Sequence, residues 1–208
     1  MLPTLHTGAV HPATLELLSD LMNLPELRSF ALVGGTALAL YKGHRISIDL
    51  DLFTQDPFDA ELLLADIRSL LAPQRDIERI GIARNTLNLA LDGIKTDLLR
   101  FDYPLLEPVQ TIERVRLFSL PDIAAMKLSA IAGRGAKKDF YDLDCLLGEY
   151  TLRELFAWFE AKFGGDVFHL RKSIVYFDDA DTEPDPVSLR NASWNDVKSR
   201  IRAAAVKI

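Results

Sequence analysis

The sequence predicts an α+β fold, in which a mixed β-sheet flanked by helices is followed by an α-helical C-terminal lobe. Residues 30–53 have the pattern of a strand, a helix and a second strand, with a diglycine at the first turn. Two apolar stretches flank Asp92-Gly93, a dipeptide typical of β-hairpin turns. From Ser119 onward the apolar spacing is helical. We therefore expect a sheet-containing domain at residues 1–115 and a helical lobe at residues 116–208 that completes the site.

Local patterns predict the individual elements. A helix is expected at 12–23, where Pro12 stands early and apolar residues recur on one side. Helical spacing of leucine and isoleucine predicts another helix at 59–72. The other expected elements are a helix at 36–42 and strands at 30–33, 46–53, 86–91 and 94–101.

The strand predicted at 46–53 carries two aspartates, Asp49 and Asp51, two residues apart. Side chains at positions i and i+2 of a strand point to the same face, so both should converge with Ser47. The intervening apolar residues should point the opposite way, into the core; they are Ile46, Ile48, Leu50 and Leu52.

This arrangement predicts a site for a metal ion and a nucleotide. Two carboxylates held close together repel each other unless a cation lies between them. Hard oxygen ligands suit Mg²⁺, which proteins commonly share with substrate phosphates. Gly34-Gly35 supplies backbone that can approach a phosphate closely, just before a helix N-terminus that favours anions. The alternative is a solvated acidic strand end after a glycine turn, which leaves Arg45 and Ser47 unexplained.

A third carboxylate is expected at Asp97. Two-metal phosphoryl chemistry usually needs such a group to hold the metal and activate the attacking hydroxyl. Asp97 lies in the middle of a predicted strand among apolar neighbours, where an unpartnered carboxylate would be costly. We predict Asp49, Asp51 and Asp97 as the metal ligands. The alternative is that Asp97 faces solvent on an edge strand beside Lys95.

The chain resembles the nucleotidyltransferase superfamily, and within it the AbiEii/AbiGii-type nucleotidyltransferases, which are toxins of abortive-infection and toxin–antitoxin systems. The resemblance covers about residues 30–145 and is carried by Gly34-Gly35-Thr36-Ala37-Leu38 and Gly43-His44-Arg45-x-Ser47-x-Asp49-Leu50-Asp51-Leu52-Phe53. It implies the minimal nucleotidyltransferase fold. It also implies that phosphates are bound by Gly34, Gly35 and Thr36, with further contacts from Arg45 and Ser47.

A second stretch has the same resemblance. Ser119 can cap a helix that carries Lys127, and a new helix is expected to start at Lys137. By resemblance, Lys127 would contact the nucleotide phosphates, and Lys138 and Asp139 would complete the site. The residues alone also allow a simpler interpretation, in which Lys138 forms a surface ion pair four residues along the helix and Asp139 only favours the helix N-terminus.

The resemblance implies an enzyme that depends on Mg²⁺, with Mn²⁺ as the alternative cation, and transfers a nucleoside monophosphate from a nucleoside triphosphate to an acceptor hydroxyl. The expected acceptor is RNA, at the 3′ end of a tRNA, and the expected protein partner is an antitoxin. Two alternatives stay open. The acceptor could be a small molecule of the aminoglycoside kind or a protein, or the chain could be a catalytically idle nucleotide-binding regulator.

Composition restricts the class of protein further. The chain has 208 residues and a formal net charge of −6, which argues against broad, sequence-independent adhesion to nucleic acid but allows a local basic patch. Its one cysteine, Cys145, excludes an internal disulfide and fits a reducing cytoplasm. Apolar runs are too short for a membrane span, so we expect a cytoplasmic protein that has no membrane partner.

Overall fold

The computed structural model describes residues 4–165 and 167–207. The strands of this part of the chain are β1 (Ala31–Val33), β2 (Leu50–Thr54), β3 (Ile77–Ala83), β4 (Thr86–Leu91), β5 (Ile94–Arg100), β6 (Gln110–Ile112) and β7 (Val115–Leu117). They form a seven-stranded mixed sheet in the order β3-β4-β5-β2-β1-β7-β6. The predicted hairpin around Asp92-Gly93 is confirmed as β4 and β5, which pair in antiparallel fashion.

Helices flank this sheet and make up most of the C-terminal half. They are α1 (Pro12–Asn23), α2 (Gly34–Lys42), α3 (Ala60–Leu71), α4 (Leu120–Gly133), α5 (Lys137–Leu147), α6 (Leu152–Phe163), α7 (Val167–Ser173), α8 (Asp178–Asp181) and α9 (Trp194–Ala205). The predicted α+β class is therefore confirmed. No helix among the described residues is long and apolar enough to cross a membrane.

Two strand pairings determine where the predicted site lies. Strand β2 pairs antiparallel with β1, which brings Asp51 opposite Val33, the residue just before the diglycine. On its other side β2 pairs parallel with β5, which brings Asp51 opposite Asp97. The glycine turn at the end of β1 therefore lies close to the carboxylates of β2 and β5.

The strand predicted at 46–53 is wrong in its first half, because residues 46–49 are irregular and β2 begins at Leu50. Backbone groups of this segment bond to other parts of the chain instead. Ser47 forms an isolated bridge with Val10, and the carbonyl of Ile48 accepts a hydrogen bond from the Thr14 hydroxyl at 3.1 Å. The expectation that Ile48 enters the core is also wrong, since 59% of the residue is exposed.

A buried ion pair connects the helical half to the loop between β5 and β6. Ser119 caps α4, as predicted, and its hydroxyl also donates to Asp122 at 2.6 Å. Asp122 in turn pairs with Lys162 of α6 at 2.6 Å, and both side chains are fully buried. Lys162 also donates to the Pro104 carbonyl at 2.9 Å.

The expected division of the chain into two domains at residue 115 stays a prediction. Strand β7 begins at that position, and α4 follows it.

Candidate active site

A cavity of about 210 Å³ lies where β1 and β2 meet the start of α2 and the face of α4. All the predicted site residues except Asp97 and Asp139 line it: Gly34, Gly35, Thr36, Arg45, Ser47, Asp49, Asp51, Lys127 and Lys138. The cavity is also lined by Arg134 and by the apolar side chains of Phe53 and Met126. The sequence motifs thus converge on a single concave site.

The diglycine allows charged side chains to lie directly against the backbone. Gly34 has φ +71°, a left-handed conformation that L side chains rarely adopt, and a Cβ there would collide with the Asp51 carboxylate. A Cβ on Gly35 would collide with the Arg45 guanidinium and would lie 3.6 Å from Lys127 Nζ. Both positions therefore require glycine for close packing around the N-terminus of α2.

The segment before β2 is held by buried hydroxyl groups. Thr36 Oγ1 and Ser47 Oγ are hydrogen-bonded at 2.9 Å, and the Thr36 hydroxyl also donates to the Asp49 carbonyl. Both hydroxyl residues are nearly inaccessible to solvent. These bonds fix the backbone that presents Asp49 to the cavity, so the two hydroxyls already have a structural role beside the phosphate contacts predicted for them.

Three carboxylates lie on or just before the interior strands β2 and β5, and the neighbouring lysines partly neutralise them. Asp97 lies on β5, an interior strand between β4 and β2, and not on an edge strand. Its carboxylate pairs with Lys95 at 2.7 Å and accepts a hydrogen bond from Asn88 at 2.7 Å. Asp49 pairs more loosely with Lys138, at 3.5 Å. Among the described residues, no three His, Cys, Asp or Glu side chains are already grouped to hold a metal ion.

Asp51 carries negative charge that its surroundings do not fully compensate. Burial raises the pKa of Asp51, and the nearby Asp97 and Asp49 charges raise it further, while Lys127 and Lys95 oppose the increase. A group in this position is stabilised by any additional cation that can reach it. The donors are hard carboxylate oxygens, the type that Mg²⁺ and Mn²⁺ prefer. The chemistry of the site therefore fits a divalent cation.

Asp142 of α5 organises the positive side of the cavity from beneath. It is fully buried and binds the Arg45 guanidinium through two hydrogen bonds, at 2.7 and 3.0 Å. It also pairs with Lys127 Nζ at 2.6 Å and with His44 Nε2 at 2.6 Å. Burial lowers the pKa of His44, so its neutral imidazole donates the Nε2 proton to Asp142. One carboxylate thus orients two of the cations that line the site.

Asp139 has a similar supporting position. It is fully buried, and its carboxylate contacts Lys127 at 3.1 Å and Arg134 at 2.9 Å. Lys138 pairs with Asp49, whereas the carboxylate four residues beyond it, Asp142, binds other cations. The surface ion pair considered from sequence is therefore replaced by contacts across the cavity.

The charges of this cluster are stable near neutral pH. Burial alone would lower the pKa of Lys127, but the Asp142 and Asp139 carboxylates outweigh it and raise the value. Burial would likewise raise the pKa of Asp142, yet Lys127 and Arg45 hold it well below its usual range. The cavity therefore has permanent cations on its helical side and carboxylates on its sheet side. Such a site can bind a polyanion together with a metal ion.

Sequence reasoning gave too little weight to three residues: Arg134, His44 and Asp142. Arg134 lies seven residues after Lys127, which on one helix places both on the same face. His44 adjoins Arg45 in the motif. Asp142 follows Asp139 by one helical turn, a spacing that could have indicated a second inward-facing carboxylate. The partners of Asp142 could not be inferred, since Arg45 is 97 positions away.

The fold and the site together define a nucleotidyltransferase: a glycine turn at a helix start faces carboxylates on two adjacent strands. Residues 16–107 and 96–205 match the family described as "Nucleotidyl transferase AbiEii toxin, Type IV TA system". The chain belongs to this family, and it is a nucleotidyltransferase of the toxin class.

One relative in sequence and two solved structures are similar to this chain. The chain is 38% identical over 175 residues to aq_aa25, an uncharacterized protein of Aquifex aeolicus (strain VF5), covering 81% of this chain and 83% of that protein. The crystal structure of JHP933 from Helicobacter pylori has a TM-score of 0.61 and 21% identity over 95% of this chain and 92% of the other. MenT4, a nucleotidyltransferase toxin from Mycobacterium tuberculosis H37Rv, has a TM-score of 0.62 and 16% identity over 93% and 82%. These two likenesses show a shared fold.

Proposed function

We propose that the protein transfers a nucleoside monophosphate from a nucleoside triphosphate to an acceptor hydroxyl, and that Asp49, Asp51 and Asp97 bind the Mg²⁺ or Mn²⁺ that the reaction uses. The observation that carries this proposal is the register that brings Asp51 opposite Asp97, directly in front of the diglycine. When bound, the cation would neutralise negative charge on the triphosphate and on the carboxylates. Lys95 and Lys138, which now pair with Asp97 and Asp49, would have to move aside.

The triphosphate would bind at the N-terminus of α2. Backbone amides of Gly34, Gly35 and Thr36 lie there without side-chain obstruction from the two glycines. Arg45 and Lys127 line the same cavity, and both are held in place by Asp142. Ser47 and Lys138 would add contacts, as the family resemblance implies. The positive charges of Arg45, Lys127 and Lys138 suit the pyrophosphate that leaves.

Asp139 would contribute through its neighbours. Its carboxylate is fully buried and outside the cavity, but it contacts both Lys127 and Arg134. We infer that it positions these two cations over the phosphates and keeps them protonated. This role replaces direct contact with substrate, which the burial of Asp139 disfavours.

The nucleoside would extend toward the apolar wall of the cavity. A volume of about 210 Å³ is smaller than the pockets that enclose drug-sized ligands, roughly 300–1,000 Å³. The phosphates would therefore occupy the enclosed part and the base its mouth. Phe53 and Met126 add apolar surface to the lining of the cavity, and the Phe53 ring packs against Phe101 at 5.5 Å between centroids.

The chemical step balances as a displacement at phosphorus. The oxygen of the acceptor hydroxyl forms a bond to the α-phosphorus while its proton passes to water, and the bond from that phosphorus to the bridging oxygen breaks. Pyrophosphate leaves with the electron pair. The protein would act mainly by positioning the reactants and stabilising charge, which are the dominant contributions in phosphoryl transfer.

We propose RNA as the acceptor, at the 3′ end of a tRNA, and an antitoxin as the protein partner. The family description, a toxin of type IV toxin–antitoxin systems, supports the antitoxin, whereas the RNA acceptor rests on the family resemblance of the sequence motifs. A reaction between a triphosphate and RNA further suggests a cytoplasmic protein. The geometry of the metal and phosphate site would equally serve a small-molecule or protein acceptor, because fold and motif do not determine the acceptor.

Label transfer tests this proposal. The protein is incubated with Mg²⁺, total RNA and each α-labelled nucleoside triphosphate in turn. Label in a small RNA band would support the proposal and identify the nucleotide. Label in protein, or only in an added small hydroxyl compound, would overturn the RNA acceptor. Nucleotide binding without transfer to any acceptor would contradict the proposed activity.

A further inference from the structure

A second cavity, of about 280 Å³, shares Arg134 with the candidate active site. It is formed by the end of α4, the turn into α5, the end of α7 and the residues that follow α7. Its polar and aromatic lining consists of Arg134, Lys172, Ser173, Tyr176 and Asp179. Neither the family description nor the predicted site assigns a role to this cavity.

Arg134 connects the two cavities, since its side chain lines both. Its guanidinium is anchored on Asp139 by bonds from Nε at 2.9 Å and from the second terminal nitrogen at 3.2 Å. About 61% of the Arg134 side chain is nevertheless exposed. A ligand that occupies the second cavity would therefore contact the same fixed cation as a ligand in the first.

The lining of the second cavity matches the chemistry of a nucleotide. Tyr176 is 53% exposed and presents an aromatic ring, which can stack on any base. Lys172 is exposed, and its ammonium group lies over the Phe168 ring, 4.5 Å from the ring centroid. Arg134 and Lys172 suit a phosphate, and the Asp179 carboxylate can accept a hydrogen bond from a ribose hydroxyl or a base amino group.

A polycationic small molecule is a poorer match for this cavity. Such an acceptor would be expected to meet several carboxylates, whereas the charged groups here are two cations, Arg134 and Lys172, and one carboxylate, Asp179. The chain as a whole carries a net charge of −6, so it would not attract an anionic polymer in general. Two cations beside an exposed aromatic ring therefore form a local site for such a polymer.

We propose that the second cavity is an acceptor subsite, in which Tyr176 stacks on a base near the 3′ end of a single-stranded RNA while Lys172 and Arg134 contact its phosphates. This inference rests on the proposed function, because it assigns the acceptor strand a path along Arg134 to the metal and phosphate site. The terminal hydroxyl would then enter the first cavity from the side of α4.

Binding of RNA, measured apart from catalysis, tests the subsite. Fluorescence anisotropy of a labelled single-stranded RNA with a free 3′ hydroxyl is recorded without nucleotide for the wild-type protein and for Tyr176→Ala, Tyr176→Phe and Lys172→Gln. Loss of a stacked base should weaken binding about tenfold in Tyr176→Ala. Tyr176→Phe, which keeps the ring, should bind within about twofold of wild type. Lys172→Gln should weaken binding and flatten its salt dependence.

Steady-state transfer separates failure of the subsite from failure of the proposed function. In Tyr176→Ala, KM for RNA should rise about tenfold while KM for the triphosphate stays unchanged. Wild-type transfer to RNA with equal KM for RNA in both proteins would overturn the subsite and leave the proposed function intact. Tyr176-dependent RNA binding without transfer to any acceptor would support the subsite and overturn the transferase proposal. RNA binding that is equal in all four proteins would overturn the subsite directly.

Discussion

At the residue scale, one buried carboxylate holds the cations of the site together. Asp142 is fully buried and contacts Arg45, Lys127 and His44. Burying such an ion pair is costly, and it persists only when each charge has partners. Because Lys127 and Arg45 hold the pKa of Asp142 well below its usual range, its charge stabilises the folded state above the pKa of an unfolded aspartate, about 3.9.

Replacing Asp142 should therefore destabilise the protein strongly. In Asp142→Asn the buried Arg45 loses its carboxylate partner and Lys127 keeps the longer contact to Asp139, so the free energy of unfolding at pH 7 should fall by about 3–5 kcal/mol. The wild-type protein should lose stability as the pH drops below about 4, and the variant should lose less over that range. Urea unfolding at pH 7 and pH 4 measures both effects.

A matched control lies on the same helix. Asp144 pairs with Arg200, half of whose side chain is exposed, so Asp144→Asn should change stability by about 1 kcal/mol or less. Equal losses in Asp142→Asn and Asp144→Asn would contradict the central position of Asp142.

Asp51 supports a prediction about ligand binding. Its pKa is raised by burial and by two neighbouring carboxylates, so its ionised form is under-compensated in the free protein. Mg²⁺ together with a nucleoside triphosphate at 100 times its Kd should raise Tm by about 5–10 °C. Asp51→Asn should fold normally but lose most of this shift in differential scanning fluorimetry. An undiminished shift in Asp51→Asn would show that the cation binds elsewhere.

At the scale of elements, the junction of β1 and α2 supports a prediction about backbone geometry. Gly34→Ala would place a Cβ at φ +71° and against the Asp51 carboxylate. Unfolding free energy should fall by on the order of 1–2 kcal/mol, and transfer by about a hundredfold, since Asp51 has to shift. Circular dichroism melting and label transfer check the two effects.

Gly8→Ala is the control for this junction, because a Cβ at Gly8 meets no atom within 4 Å. Its stability should stay within about 0.5 kcal/mol of wild type and its activity should be unchanged. If Gly34→Ala behaved like Gly8→Ala, close packing at the diglycine would not matter for the site.

Some elements were predictable from sequence because their signals are local. The α4 cap at Ser119 and the turn at Asp92-Gly93 each depend on a few adjacent residues. Strand β3 was missed because Glu78 and Arg79 interrupt its apolar pattern at a sheet edge. Strands β6 and β7 were missed as well; each has three residues, and β7 joins the main sheet by pairing Leu117 with Leu32. Such distant pairing has no local signature.

The same distinction applies to the site. Gly34-Gly35 and Asp51 lie within one short segment, so their approach could be predicted from strand and turn geometry. Ser47 and Asp49 also line the cavity, but from the irregular segment before β2 and not from a strand. Asp97 was predictable as a strand carboxylate among apolar neighbours, although its position opposite Asp51 required the sheet order. The ion pairs of Asp142 depend on how α5 packs beneath the cavity, and Lys127 and Arg45 are too far along the chain to indicate them.

At the scale of the whole molecule, charge is divided between the two halves. The sheet supplies Asp51 and Asp97, while α4 and the start of α5 supply Lys127 and Lys138. The cavity lies between these surfaces; the N-terminal half adds Arg45 to its carboxylates, but Lys127 and Lys138 come from the helical half, so the proposed site needs both halves. We expect nucleotide transfer to take place at this boundary and to depend on the carboxylates of Asp51 and Asp97.

Label transfer by two charge-matched variants tests that claim most directly. Asp51→Asn removes a proposed metal ligand, whereas Asp102→Asn removes a carboxylate that is 71% exposed and pairs only with Arg100 among the described residues. With Mg²⁺, α-labelled nucleoside triphosphate and RNA, we expect Asp51→Asn to lose about a hundredfold or more of the wild-type rate while its Tm is maintained. Asp102→Asn should retain the full rate. Wild-type transfer in folded Asp51→Asn would contradict the assignment of this cavity as the active site.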